Sequence, residues 1–97
     1  MFEVATIYAL KCEQFVKLGF STQFDERLAQ IRRANPFPID VLYTMPGTLE
    51  DEAELLEGAR EWRTDGYGRE WHHADPGLLD YVRDYFSGSA LGIKTCL

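Results

Sequence analysis

The sequence predicts an α+β domain in which a small antiparallel sheet of three or more strands is flanked by about three helices. Residues 2–10 and 14–21 are rich in β-branched and aromatic side chains, and the polar turn Lys11-Cys12-Glu13 between them is typical of an antiparallel hairpin. Segments with helical periodicity then alternate with a third extended run. The predicted order is β-β-α-β-α-(β)-α, and 97 residues fit one domain spanning 1–97.

The first helix is predicted over residues 24–33, where apolar residues recur at helical spacing. Thr22, with Asp25 three residues later, resembles a capping box. The helix should stop at the segment 35–38, which contains two prolines, because proline has no N–H and a fixed φ.

The second half of the chain is predicted to contain a strand over 39–45, ended by Pro46, and a helix over 49–63. A short extended segment at 70–72 and a last helix follow. Asp75-Pro76 suits the start of that helix, because aspartate is a good N-cap and proline is favoured at the first helical position.

The predicted helix over 49–63 has two chemically opposite faces. The apolar face is made of Leu49, Ala53, Leu55, Leu56, Ala59 and Trp62. The opposite face is a row of carboxylates, here called the acidic ridge, made of Glu50, Glu54, Glu57 and Glu61. Glu52 is an exception, because its position falls in the middle of the apolar face.

The acidic ridge indicates a partner that normally binds nucleic acid. Its carboxylates lie roughly 5–6 Å apart on a helix, and a nucleic-acid strand is likewise a line of negative charges. The formal net charge is −6, and residues 50–84 hold eleven acids against four arginines. We therefore expect no direct nucleic-acid binding, since proteins that bind phosphates usually show a basic patch. An ordinary solvated helix face is the alternative.

Signals for export and membrane insertion are weak. The N-terminus has no positive region followed by a long apolar run, and no stretch reaches the roughly 18 apolar residues of a membrane span. We expect a cytoplasmic protein with no membrane partner. Cys12 and Cys96 are then expected to be free thiols rather than a disulfide, although the sequence leaves a pairing open.

Several motifs in order resemble the GIY-YIG nuclease superfamily. Thr6-Ile7-Tyr8 and Lys17-Leu18-Gly19 resemble its two signature strands. The continuation is similar to a small phage-associated branch of that superfamily, on the following segments: Phe20-Ser21, Arg27-Leu28, Asn35-Pro36-Phe37-Pro38, the acidic helix, Arg63 and Arg69-Glu70-Trp71. The resemblance covers most of residues 4–72 and implies a GIY-YIG-like scaffold.

The resemblance also implies roles for individual residues. Tyr8 corresponds to a tyrosine at the attacking water, Arg27 to an arginine that steadies the phosphate, and Glu52 to a glutamate that binds Mg²⁺ or Mn²⁺. A metal would explain Glu52, because an inward-facing carboxylate is costly unless it is paired, protonated or bound to a cation. Pairing of Glu52 with Arg27 or Arg63 is the alternative.

Two positions depart from the superfamily pattern. Lys17 replaces the second-motif tyrosine, as it does in the phage-associated branch, but Leu56 stands where that branch has a histidine. Leucine cannot relay a proton. The chain is also similar, in size and acidity, to phage-encoded anti-CRISPR proteins that act as DNA mimics, which would place it in the cytoplasm of the phage host.

Two functions follow, and the sequence favours the first. The first is a non-catalytic inhibitor without cofactor that fills the DNA-binding groove of a nucleic-acid-binding complex, for example a CRISPR effector, through the acidic ridge together with Asp51 and Asp65. The second is a small metal-dependent endonuclease that uses Tyr8, Lys17, Arg27 and Glu52, with a metal ion at the glutamate. The sequence does not decide the structure of residues 87–97 or the oligomeric state.

Overall fold

The computed structural model describes residues 5–64 and 70–91, with the side chains of all of these except 88–91. It confirms the α+β fold, with a four-stranded antiparallel sheet and three α-helices. The elements are β1 (Ala5–Cys12), β2 (Phe15–Ser21), α1 (Phe24–Ala34), β3 (Asp40–Gly47), α2 (Leu49–Gly58), a 3-10 turn (Arg60–Trp62), β4 (Trp71–His73) and α3 (Pro76–Leu91).

The sheet has the strand order β3-β1-β2-β4, and every neighbouring pair is antiparallel. In the central hairpin, Tyr8 of β1 lies opposite Gly19 of β2. Lys17 lies opposite Leu10 on one side and opposite Trp71 on the other. Because residues paired directly across antiparallel strands share one face of the sheet, these pairs form successive rows on the same face.

The hairpin turn is tighter than the sequence predicts. The expected turn Lys11-Cys12-Glu13 is wrong, because β1 continues through Cys12 and only Glu13 and Gln14 connect the strands. Cys12 is the buried last residue of β1. Glu13, the first residue of the turn, takes a positive φ of 56°. Two-residue hairpin loops need such left-handed residues to match the twist of the strands.

The start of α1 also differs from the prediction. The helix is capped by Gln23, without a side-chain capping bond, so the expected capping box of Thr22 and Asp25 is wrong. The Ser21 hydroxyl instead accepts a hydrogen bond of 2.9 Å from the Gln23 N–H. Acids in the first turn and arginines in the last turn still complement the helix dipole.

Strand β3 does not end before Pro46 but continues through Pro46 and Gly47. Pro46 lies opposite Thr6 of β1. Because β3 is an outer strand of the sheet, it pairs with β1 alone, and an edge strand tolerates a residue that donates no ladder hydrogen bond.

Helix α2 is shorter than predicted, since it ends at Gly58 and the chain continues as the 3-10 turn. Thr48 and Asp51 form a capping box: the Thr48 hydroxyl accepts from the Asp51 N–H at 3.2 Å, and the Asp51 carboxylate accepts from the Thr48 N–H at 2.9 Å. The predicted apolar face is wrong for Leu49, which is 62% exposed, and for Ala53, which is also exposed. Only the second half of this short helix reaches the core.

The core lies on both faces of the sheet. Helices α2 and α3 cover one face, over a cluster formed by Ile7, Ala9, Val16, Leu18, Met45, Leu55, Leu56, Ala59, Leu78, Val82 and Phe86. Helix α1 covers the other face, over Tyr8, Leu10, Cys12, Ile31 and Ile39. Burying this apolar surface is the main force that stabilises the fold.

Helix α3 holds α2 through two tyrosines. The Tyr81 hydroxyl donates to the Leu55 carbonyl, and the Tyr85 hydroxyl donates to the Asp51 carbonyl, both at 3.0 Å. The predicted start of α3 is confirmed at Pro76, and the Asp75 carboxylate accepts from the Gly77 N–H. Among the described residues, no helix is long and apolar enough to cross a membrane.

Candidate functional site

Tyr8 lies at the centre of the candidate site. It sits in the middle of β1, is 1% exposed, and packs its ring against Phe24 with the centroids 5.3 Å apart. The phenol ring packs directly over the backbone of Gly19. A Cβ atom added to that glycine would lie 2.5 Å from the Tyr8 hydroxyl. The glycine of the Lys17-Leu18-Gly19 motif is therefore what allows the tyrosine to lie there.

Three charged side chains act on the Tyr8 phenol. The pKa of Tyr8 is raised to about 12: burial is the largest cause, Glu70 and Glu52 also raise it, and Arg27 lowers it. These residues come from α1, α2 and the segment before β4, so the fold brings distant parts of the chain to one phenol. With this pKa, Tyr8 is protonated at neutral pH and offers an O–H donor.

Lys17 and Glu70 form the best-defined ion pair of the site. Their charged atoms are 2.8 Å apart, and the Lys17 side chain is only 14% exposed. The Lys17 ammonium also lies 5.2 Å from the centre of the Trp71 ring, within cation–π range. The main chain of Glu70 is fixed because its carbonyl accepts from the Leu18 N–H at 2.9 Å and from the His72 ring at 3.0 Å.

Of the four residues named from the superfamily resemblance, Tyr8 and Lys17 lie on one sheet face. The charges of Arg27 and Glu52 act on the pKa of Tyr8. The sequence did not predict Glu70 as a site residue, and it named Glu70 only as part of the Arg69-Glu70-Trp71 motif. The available sequence signal was an acid directly before the tryptophan that begins a short edge strand. Whether that acid pairs with Lys17 depends on the register of β4 against β2.

Leu56 has a purely structural position. It is 4% exposed and belongs to the core cluster under α2 and α3. Tyr8 belongs to the cluster on the opposite face of the sheet. Leu56 therefore contributes packing rather than a proton-transfer group.

The donor atoms near Tyr8 suit a hard divalent cation that also binds its substrate. Glu52 and Glu70 are the two carboxylates whose charges act on the Tyr8 phenol. Within residues 5–64 and 70–91, no group of three His, Cys, Asp or Glu side chains converges to hold a metal by itself. Magnesium is commonly bound through only one or two carboxylates together with substrate phosphates, and the residues around Tyr8 fit that arrangement.

The two adjacent histidines point to opposite faces of β4, as residues in a strand do. His72 is fully buried and His73 is exposed. Burial lowers the pKa of His72, so the ring is neutral at physiological pH. Its Nε2 atom and the Nε atom of Arg63, which is joined to His72 by a β-bridge, are buried without a hydrogen-bond partner.

The acidic ridge is exposed, as predicted, but it is not continuous. Glu50, Glu54 and Glu57 lie on α2, whereas Glu61 lies in the 3-10 turn beyond it. Glu57 is ion-paired with Arg60, so part of the negative charge is neutralised within the molecule.

The remaining acids that were predicted to bind a partner differ in the hydrogen bonds and ion pairs that they form within the molecule. Glu54 accepts a hydrogen bond of 3.4 Å from the Tyr85 hydroxyl, and the Asp51 carboxylate is used in the capping box. Glu50 and Glu61 form no ion pair with any residue that the structure describes. Asp65 lies outside the described residues, as do Cys96 and the end of the tail.

Comparisons with known proteins give no match: no protein-family model fits the chain, and neither a curated protein nor a solved structure matches it.

Proposed function

We propose that the chain is a small metal-dependent endonuclease, and that it hydrolyses phosphodiester bonds at the cluster around Tyr8. One observation carries the proposal: charged side chains that are far apart in the sequence act on one buried phenol. Arg27, Glu52 and Glu70 all shift the pKa of Tyr8, and Glu70 is ion-paired with Lys17.

Each group has a role that its position supports. Arg27 is exposed on α1, where its guanidinium can bind a phosphate with two parallel hydrogen bonds. Tyr8 keeps its proton at neutral pH, so its O–H would donate a hydrogen bond to a phosphate oxygen. Lys17 fixes the position of the Glu70 carboxylate through their ion pair.

Glu52, together with Glu70, is the residue that would hold Mg²⁺ or Mn²⁺. The ion would supply positive charge that stabilises the negative charge developing on the phosphate. The acidity of the chain as a whole opposes binding of nucleic acid, but the site itself combines two carboxylates with two cationic side chains. The charges of these four side chains sum to zero, so the repulsion at the site is smaller than the net charge of the chain alone implies.

The test is a cleavage assay with purified protein, Mg²⁺ or Mn²⁺, and both supercoiled and single-stranded DNA. We expect nicking, and a loss of roughly 100-fold or more in the Tyr8→Phe and Glu52→Gln variants. Glu50→Gln is the matched control, because Glu50 is an exposed acid two residues away on the same helix. Cleavage that survives Glu52→Gln, or that is absent with every metal and substrate, would refute the proposal.

An acidic inhibitor is the second candidate, and the exposure of the acidic ridge favours it. Glu50 and Glu61 project from the surface without an ion pair to a described residue. Such a surface would imitate DNA phosphates and occupy the basic DNA-binding groove of a nucleic-acid-binding complex, with a CRISPR effector as one example. Binding of this kind is steered by charge and weakens with salt.

The inhibitor proposal is tested by a pull-down from cells that carry candidate complexes, after nuclease treatment to remove bridging nucleic acid. Changing Glu50, Glu54, Glu57 and Glu61 to lysine should abolish capture of the partner while the domain stays folded. Capture of the same partner by the reversed variant would rule the inhibitor out.

A further inference from the structure

A cavity of about 370 Å³ opens on the sheet face that carries the candidate site. It is lined by Cys12, Glu13, Phe15, Asn35, Pro36, Phe37, Thr64 and Trp71. Three of these side chains are aromatic, and Phe37 is 52% exposed although it is large and apolar. The ring of an exposed aromatic side chain in the lining of a cavity is available to stack on a flat ligand.

The cavity is continuous with the residues around Tyr8. Cys12 and Phe15 lie opposite each other in β1 and β2, one row beyond the pair Leu10 and Lys17. Rows on one sheet face are separated by two residues, roughly 7 Å along the strand. Trp71 belongs to both places, since its ring lies under the Lys17 ammonium and also lines the cavity.

The polar groups of the cavity include several hydrogen-bond acceptors. The Asn35 side-chain nitrogen donates one of its two hydrogens to the Ile31 carbonyl at 2.7 Å, and the same side chain carries an amide oxygen that can accept. The Thr64 hydroxyl donates to the Trp71 carbonyl at 3.2 Å. Glu13 adds a carboxylate, so a ligand with an apolar ring and N–H donors at its edge matches this lining.

We infer that this cavity binds one unpaired nucleobase of the strand whose phosphate lies at the candidate site. The inference rests on the proposed endonuclease function and specifies its substrate as a strand with an accessible, unstacked base. Nucleobases combine flat aromatic faces with N–H donors on their edges, and aromatic side chains are the usual stacking platforms for single strands. An apolar peptide side chain would use the rings but not the acceptors.

The test compares a short single-stranded DNA with a strand of the same length in which every base is replaced by an abasic residue. Binding is measured by calorimetry in the presence of Ca²⁺ in place of Mg²⁺. The wild-type protein should bind the normal strand more tightly, and Phe37→Ala should reduce that affinity about tenfold, in line with the loss of one base–aromatic stack. Leu49→Ala is the matched control, because it removes an equally exposed apolar side chain from α2.

The outcomes separate this inference from the proposed reaction. Equal affinity of wild type and Phe37→Ala for the normal strand, or an equal loss for the abasic strand, overturns the nucleobase cavity even if the protein cleaves DNA. A tenfold loss confined to the normal strand supports the cavity, and it does so even if no cleavage is found with Mg²⁺ or Mn²⁺, a result that would overturn the reaction alone.

Discussion

At the residue scale, the candidate site depends on one tyrosine and one glycine that face each other across the hairpin. Tyr8 is almost fully buried, and its phenol occupies the space that a side chain at position 19 would need. Its hydroxyl is therefore placed by the backbone of β2. This close approach ties the position of a site residue directly to the packing of the sheet.

Replacing Gly19 with alanine should disturb both the stability and the site. The added methyl group would lie 2.5 Å from the Tyr8 ring and hydroxyl, so the free energy of unfolding should fall by about 1–3 kcal/mol, as overpacking usually causes. Urea unfolding of Gly19→Ala, alone and combined with Tyr8→Ala, measures this. The loss should shrink in the Tyr8→Ala background, and an equal loss in both backgrounds would contradict the steric explanation.

The buried tyrosines should make the protein sensitive to high pH. The pKa of Tyr8 is raised to about 12, and burial raises the pKa of Tyr85 as well. Above about pH 10 the unfolded chain releases phenol protons that the folded protein retains, so stability falls by up to about 1.4 kcal/mol per pH unit for each group.

Urea unfolding as a function of pH tests this sensitivity. Stability should be constant between about pH 8 and pH 9 and should decrease as the pH rises towards 12. Tyr8→Phe should flatten the decrease, because phenylalanine has no proton to release. A wild-type curve and a Tyr8→Phe curve of equal slope would show that Tyr8 does not titrate as expected.

The sequence predicted some of the residues of the candidate site and not others. Tyr8, Lys17, Arg27 and Glu52 stand at recognisable places in a series of motifs. Glu70 also lies in one of these motifs, but its role could not be predicted, because it depends on the pairing of a three-residue strand with β2. Short strands carry little periodicity, so their partners are decided by tertiary packing rather than by local pattern.

At the scale of secondary structure, element type was predictable and element ends were not. Alternating and helical periodicities identified the hairpin, α1, β3 and α3, since these patterns reflect which faces are buried. The ends depend on single hydrogen bonds: Thr22 has the composition of a cap but makes no capping bond, whereas Thr48 makes one. Both threonines precede an acid by three residues, so the pattern alone could not separate them.

These two threonines form a matched pair for measuring capping. Thr48→Ala should lower the free energy of unfolding by about 1 kcal/mol, because it removes the capping bond to Asp51. Thr22→Ala should change it by less than about 0.5 kcal/mol, as surface substitutions usually do. Urea unfolding of both variants is the measurement, and equal effects would contradict the assignment of the caps.

At the scale of the whole molecule, charge is the property that most clearly separates the two candidate functions. The net charge of −6 opposes approach of DNA, and the exposed acids of α2 contribute to it. An endonuclease would have to work against this field, whereas an inhibitor of a DNA-binding complex would depend on it.

The Glu50→Lys, Glu54→Lys and Glu61→Lys triple variant should therefore give opposite results for the two functions. If the chain is an endonuclease, removing this repulsion should lower KM for DNA severalfold and leave kcat unchanged, since none of the three lies at the candidate site. If it is an inhibitor, the same variant should lose its partner. DNA cleavage kinetics and the pull-down, both at low and high salt, are the measurements.

Pro46 in the outer strand β3 also affects how molecules of this protein meet one another. A free sheet edge with an uninterrupted row of N–H and C=O groups can recruit a strand from another molecule. Pro46 breaks that row because it has no N–H to offer, and the exposed Asp40 at the start of the same strand adds a charge. The strand that closes this side of the sheet therefore protects the protein against edge-to-edge aggregation at high concentration.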